Sequence, residues 1–220
     1  MSHDIIKGFA PLIMARTMAE SGAKSRRAAS AQHSSKAADS ELSKPQESSR
    51  LVYSGRAFSV RRHTLVEPGG VRVTREIVHH PGSAVILPLF ADGRILLIRQ
   101  YRLAADARIW ELPAGTRDAG ESAFATAKRE LEEETGYTSK SWRKLLEFFP
   151  SPGFVAERMS LYLASSIRPG KPRPEADERI AARAFSASEA LRLIERGKIV
   201  DAKSLVGLLY FLRGSDRRKK

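Results

Sequence analysis

No cysteine occurs among the 220 residues of this chain. Disulfides, thiolate metal sites and a cysteine nucleophile are therefore excluded, and a reducing, cytoplasmic setting is expected. Long apolar runs are missing too. No stretch approaches the ~20 apolar residues that span a bilayer, so no membrane partner is expected. There is no internal repeat. Acidic residues number 25 against 38 basic ones, for a formal charge of +13 and an isoelectric point near 10.3. Such an excess attracts nucleic acid or phosphorylated small molecules. The basic residues are spread along the whole chain, with one local cluster at Arg217-Arg218-Lys219-Lys220. No basic stripe is interleaved with aromatics, and nucleic acid is not the expected partner. The chain is long enough for one ordinary domain and an appendage, and 42% hydrophobic content can fill its core. Without thiols, any metal must be held by carboxylates, carbonyls or imidazoles, a donor set that points to hard cations.

Residues 1–48 differ from the rest. From 21 to 50 the sequence is rich in Ser, Ala, Lys and Gln and nearly free of large apolar side chains. Such a segment buries too little surface to offset its ordering entropy, so a disordered extension is expected. At its start, Ile5, Ile6, Phe9, Leu12, Ile13 and Met14 suit a short amphipathic helix. Arg16, Arg26, Arg27 and many serines suit an organellar transit peptide, against which Asp4, Glu20 and Asp39 count.

From Leu51 the pattern becomes globular. Residues 57–66 and 71–79 read as strands joined at Pro68-Gly69-Gly70. Residues 84–90 and 94–101 are apolar, β-branched runs around Asp92-Gly93, the strongest short-range hairpin signal in the chain. Further strands are expected at 144–149, 159–166 and 180–185. Ser186, with Glu189 three residues on, forms a capping box for a helix over 190–196 that Gly197 ends. Asp201 opens another helix, whose Leu205, Leu208, Leu209 and Leu212 lie on one side. Strands mixed with three helices imply an α+β domain with a mixed sheet. Its bounds are 49–213, with a basic tail at 214–220.

The segment that carries chemistry runs from Trp110 to Tyr137. It opens with Trp110-Glu111-Leu112-Pro113-Ala114-Gly115 and continues through a polar loop into a helix from Glu121 to Gly136. Ala123, Ala127 and Leu131 recur every four positions, a narrow stripe suited to packing on a sheet. Away from it Glu130, Glu133 and Glu134 converge, because residues three and four apart are neighbours on a helix surface. Such a run is commonly a solvated acidic face. Two features favour a divalent-metal site instead. Pro113-Ala114-Gly115 would turn the backbone towards the carboxylates and offer a carbonyl, and Arg129 stands beside them, placed to orient one glutamate.

Gly115, then Glu121, then Arg129-Glu130-Leu131, Glu133-Glu134 and Gly136-Tyr137 resembles the full Nudix box, with every defined position matched over 23 residues. The resemblance implies a Nudix α/β/α sandwich and metal-dependent hydrolysis of a nucleoside diphosphate linked to another group. It makes Glu130 and Glu134 the principal ligands of Mg²⁺, with Mn²⁺ as a substitute and the Ala114 carbonyl as a further ligand. Glu133 would share ions or act as the base. Gly115, Glu121, Arg129 and Gly136 would support the loop and helix.

Flanking residues resemble the ADP-ribose pyrophosphatase branch: Arg99-Gln100-Tyr101-Arg102, Glu111-Leu112-Pro113-Ala114-Gly115, and Ser151-Pro152-Gly153 followed by Glu157-Arg158. Pro152 falls fifteen residues past the box, where that branch places a proline. The resemblance implies an acidic loop joining the metal site. Glu178 best fits the extra ligand, while Ala176 stands where the loop base is expected and cannot serve. Glu175, Asp177 or Glu133 remain as bases. Arg102, Arg75 and Glu111 are the expected substrate contacts. The branch implies a homodimer in which the N-terminal strands within 49–80 pair and help to enclose adenine. Hydrolysis of GDP-mannose, dinucleoside polyphosphates or RNA 5′ ends would share the same box. A non-catalytic binding module is disfavoured, since such modules lose box glutamates and none is missing here.

Overall fold

The computed structural model describes residues 48–170 and 180–216. Its first strands are β1 (Ser48–Ser54), β2 (Ser59–Val66) and β3 (Arg72–His79), an antiparallel sheet in the order β1-β2-β3. Pro68-Gly69-Gly70 makes the turn between β2 and β3, with both glycines at positive φ. β1 begins at Ser48, at the edge of the segment expected to lack structure, and adds a strand before the one expected at 57–66; the segments expected in residues 1–47 lie outside the described residues.

The second sheet has seven strands. β4 (Ser83–Leu89) and β5 (Ile95–Arg102) form the expected hairpin, closed by Gly93 at φ 84 with its N–H donating to the Phe90 carbonyl at 3.0 Å. The two strands then splay, pairing only at Leu89 and Ile95. After a 3₁₀ turn at Leu103–Ala105, β6 (Ala107–Glu111) pairs with β5 and β7 (Ala114–Thr116) with β4, filling the gap. Pro113-Ala114-Gly115 is thus extended and laddered rather than a turn. The Ile86 N–H donates to the Pro113 carbonyl at 2.8 Å, which holds the segment flat on β4.

Helix α1 (Ala123–Thr135) follows, then β8 (Tyr137–Thr138), β9 (Ser141–Phe148), β10 (Met159–Ser165), β11 (Arg168–Pro169) and β12 (Ala181–Phe185). The main order is β12-β5-β4-β10-β9, with β10 parallel to β4 and the other pairs antiparallel, so the sheet is mixed. Helices α2 (Ala187–Glu195) and α3 (Ala202–Asp216) close the chain. α2 carries the expected capping box between Ser186 and Glu189, and Gly197 sits past its end at φ 62. α3 runs beyond residue 213, so the first residues of the expected tail are helical.

Central strands read as continuous apolar runs because both of their faces are covered. On one face Ala84, Ile86, Leu96, Tyr162 and Ala164 meet Ala127 and Leu131 of α1, which is the predicted stripe. On the other face Val85, Leu87, Leu97, Leu161 and Leu163 meet Ala190, Ile199 and Leu208 from the α2 and α3 side. The result is an α/β/α sandwich. Among the described residues no helix is long and apolar enough to cross a membrane.

Candidate active site

α1 starts after Ser122, whose side chain accepts the Ala125 N–H, and ends at Gly136, whose φ of 70 suits an αL cap. Glu121 therefore stands outside the helix rather than opening it. Its carboxylate accepts from the Asp118 N–H at 3.2 Å, the Thr126 hydroxyl at 2.7 Å and the Arg129 guanidinium at 3.0 and 3.2 Å. Arg129 holds that carboxyl far below its ordinary value, at about 2, through hydrogen bonding, with Thr126 adding to the effect against burial.

Arg129 is the hub of the site. Its Nη1 donates to Glu130 at 2.7 Å and Glu133 at 2.9 Å, and its Nη2 also reaches the Thr116 carbonyl at 3.2 Å. The hydrogen bond to Glu121, followed by those to Glu133 and Glu130, drives the Arg129 pKa upward. The expectation that Arg129 orients one glutamate is exceeded, since it holds three. Glu134 is buried and accepts the Ala114 N–H at 2.9 Å, which ties the helix to β7. Across the gap, a Cβ built on Gly115 would overlap the Glu130 carboxylate, so only glycine lets this strand approach so closely.

The carboxylates of Glu130, Glu133 and Glu134 line a cavity of about 810 Å³ together with Arg102, Arg117 and Arg56. Arg56, from the loop between β1 and β2, had no signal in the sequence beyond its charge. A second cavity of about 500 Å³ holds His80, Ser83, Glu157, Glu111 and Lys203. The two share Arg102, Ala114, Gly115 and Thr116 as lining residues, so they adjoin. In the smaller one the Ser83 hydroxyl donates to Glu157 at 2.5 Å, and the His80 Nδ1 lies 3.5 Å from the same carboxylate oxygen.

The other sequence candidates separate. Arg102 lies at the junction, its Nε and Nη2 donating to Glu111 at distances from 2.6 to 3.1 Å. The hydrogen bond to Glu111, against burial, raises the Arg102 pKa. Glu111 is 1% exposed, so its carboxylate serves Arg102 first and faces the cavity only from its floor. Arg75 is on β3, bonded to Glu67 at 3.0 Å, and lines neither cavity. Pro152-Gly153 belongs to a loop that docks on β3, with the Val78 N–H donating to the Phe154 carbonyl at 2.8 Å. Glu175, Asp177 and Glu178 lie outside the described residues. The sequence reading missed Lys203 and Asp201. Lys203 is the second residue of α3, where the helix dipole disfavours a cation, and that local conflict was the available signal.

The donor set around Glu130, Glu134 and the Ala114 backbone is all oxygen, the chemistry of hard divalent cations, and the Gly115 clearance keeps a carboxylate against the strand. Among the described residues no three acidic or imidazole groups already converge as a finished ion site.

The NUDIX domain pattern matches residues 79–206. This chain belongs to the Nudix family. It is a Nudix hydrolase, 38% identical over 165 residues to the ADP-ribose pyrophosphatase of Mycobacterium tuberculosis, covering 74% of this chain and 80% of that protein. The ADP-ribose pyrophosphatase of Bacillus subtilis is 35% identical over 161 residues, covering 72% of this chain and 87% of that protein. A crystal structure of an ADP compounds hydrolase superposes with a TM-score of 0.68 at 24% identity, over 80% of this chain and 98% of that one, which supports the fold.

Proposed function

We propose that this Nudix hydrolase cleaves the diphosphate of ADP-ribose or a related ADP-sugar to AMP and a sugar phosphate, in the cytoplasm, with Mg²⁺ as its metal and Mn²⁺ as a substitute. The observation that carries the reading is that two cavities adjoin at Arg102: one is walled by the box glutamates, the other by polar side chains able to bond a sugar or nucleoside. The names of the two bacterial relatives support ADP-ribose within the family.

In this reading Glu130, Glu134 and the Ala114 carbonyl hold the metal. When bound, such an ion neutralises charge on phosphate oxygens and lowers the pKa of a bound water. Arg102 holds the diphosphate, because Glu111 engages Nε and Nη2 and leaves Nη1 for substrate oxygens. Glu133, or Glu175 or Asp177 of the later loop, takes the proton of the attacking water, and Glu178 adds a ligand. The water oxygen bonds to phosphorus, the bridging P–O bond breaks, and AMP and sugar phosphate separate. The chain acts as a homodimer through its N-terminal sheet, and the role assigned to Arg75 depends on that pairing.

Purified protein with Mg²⁺ should turn ADP-ribose into AMP and ribose 5-phosphate faster than GDP-mannose, diadenosine polyphosphates or capped RNA. Reaction in ¹⁸O-labelled water should place the label on a phosphate. Glu134→Gln should keep the fold and lower turnover by on the order of 10²- to 10⁴-fold. Untouched ADP-ribose beside turnover of another substrate would sink the substrate assignment, and an unchanged rate for the variant in saturating Mg²⁺ would sink the metal assignment.

A further inference from the structure

Beside Arg102 lies a second, less exposed cation. Glu111 accepts from Gln100 at 3.2 Å and from Arg102, and the Lys203 Nζ stands 3.2 Å from its Oε2. The Arg102 side chain is 42% exposed, whereas that of Lys203 is 9% exposed. Lys203 also pairs with Asp201 at 2.9 Å. Asp201 in turn accepts from the Ser204 N–H at 3.0 Å and its hydroxyl at 2.5 Å, which anchors the first turn of α3. Two carboxylates and two cations thus alternate from α3 to the cavity: Asp201, Lys203, Glu111, Arg102. Buried charge of this kind is tolerated only when each member is matched.

We propose that Lys203 is a positioning residue for Arg102, fixing through Glu111 the pose in which the guanidinium meets the substrate diphosphate. The proposal rests on the reading of Arg102 as the diphosphate-holding group. With Lys203 in place, its charge helps to balance Glu111, and the Glu111 carboxylate lies where both oxygens engage Arg102. Without it, the part-buried Asp201 loses its cation and the buried Glu111 keeps only Arg102, which is then drawn inward from the cavity. Loss of an ion pair that served stability alone would lower the melting temperature and leave substrate affinity untouched.

The test is a double-mutant cycle on the full chain with Lys203→Met, Arg102→Ala and their combination, reading kcat, KM and Tm on the diphosphate that the wild type cleaves. Lys203→Met should raise KM roughly 5- to 20-fold with kcat within about 2-fold, and should add less than about 2-fold in the Arg102→Ala background. Lys203→Arg should recover most of the loss. A lowered Tm with unchanged KM, or full additivity with Arg102→Ala, overturns the proposal. If Lys203→Met does not fold, Asp201→Asn must raise KM in the same Arg102-dependent way, and an additive or absent effect overturns it. If the wild type ignores ADP-ribose but cleaves another nucleoside diphosphate, the substrate assignment alone fails, and the cycle on that compound still decides the role of Lys203.

Discussion

Arg129 shows how one side chain can organise a crowd of like charges. Three glutamates within one turn of α1 and its approach would repel, yet Glu121, Glu130 and Glu133 each accept from the same guanidinium. The consequence for pH can be worked out at Glu121. Its carboxyl falls from an ordinary 4.5 to about 2, chiefly through Arg129. A depressed pKa means that the folded state prefers the ionised form. The stabilisation is therefore complete above pH 4.5 and lost as pH falls from there to about 2. Screening by water keeps it on the order of 1–2 kcal/mol. Melting curves of the wild type and Glu121→Gln, recorded from pH 6 down to 2, should differ most at the upper end and converge at the lower. Parallel curves over that window would show that Glu121 contributes no such linkage.

At the scale of elements, the legible features were those whose cause is local. Asp92-Gly93 made its hairpin, Ser186 and Glu189 made their capping box, and the Ala123, Ala127 and Leu131 stripe faced the sheet. The box glutamates were legible for the same reason, since helical spacing alone brings them together. What escaped depends on partners distant in sequence. β7 is extended because β4 offers it a ladder, and nothing within Pro113-Ala114-Gly115 announces that. The charge on Lys203 of α3 is matched by Asp201 beside it and by Glu111, which belongs to β6 and is distant in sequence. The tie between α3 and the box approach is of the same kind: the Leu112 N–H donates to the Ser204 hydroxyl at 2.7 Å, across 92 residues. Ser204 is fully buried, so Ser204→Ala leaves that N–H without its acceptor and removes one of the hydrogen bonds to Asp201 Oδ2, which keeps the Ser204 N–H and Lys203. The loss should be about 1–3 kcal/mol, read as a lower denaturation midpoint at unchanged m-value. Stability equal to the wild type would mean that α3 and the box segment are held together by apolar packing alone.

For the molecule as a whole, the N-terminal sheet sets the open question of assembly. β1 is exposed along its full length, and Leu51, Val52 and Tyr53 are each about half exposed. Three successive large apolar residues on an outer strand present both of its faces and, among the described residues, an unpaired ladder edge, which proteins ordinarily cover. In the dimer we propose, a second copy supplies that cover. From 21 to 47 the sequence is poor in large apolar side chains, and the first described strand begins at Ser48, so truncation before Ser48 tests the leading segment separately. Removing residues 1–47 should leave melting temperature, activity and sedimentation mass close to those of the full chain. Removing residues 1–54 also deletes β1 and should shift the sedimentation mass from two copies to one. Catalysis should fall with it if the sheet helps to enclose the nucleotide, while the box helix, packed on Ala84, Ile86 and Leu96 rather than on β1, keeps its fold. A full-length chain that sediments as one copy at micromolar concentration would remove the dimer from the account, and with it the role given to Arg75.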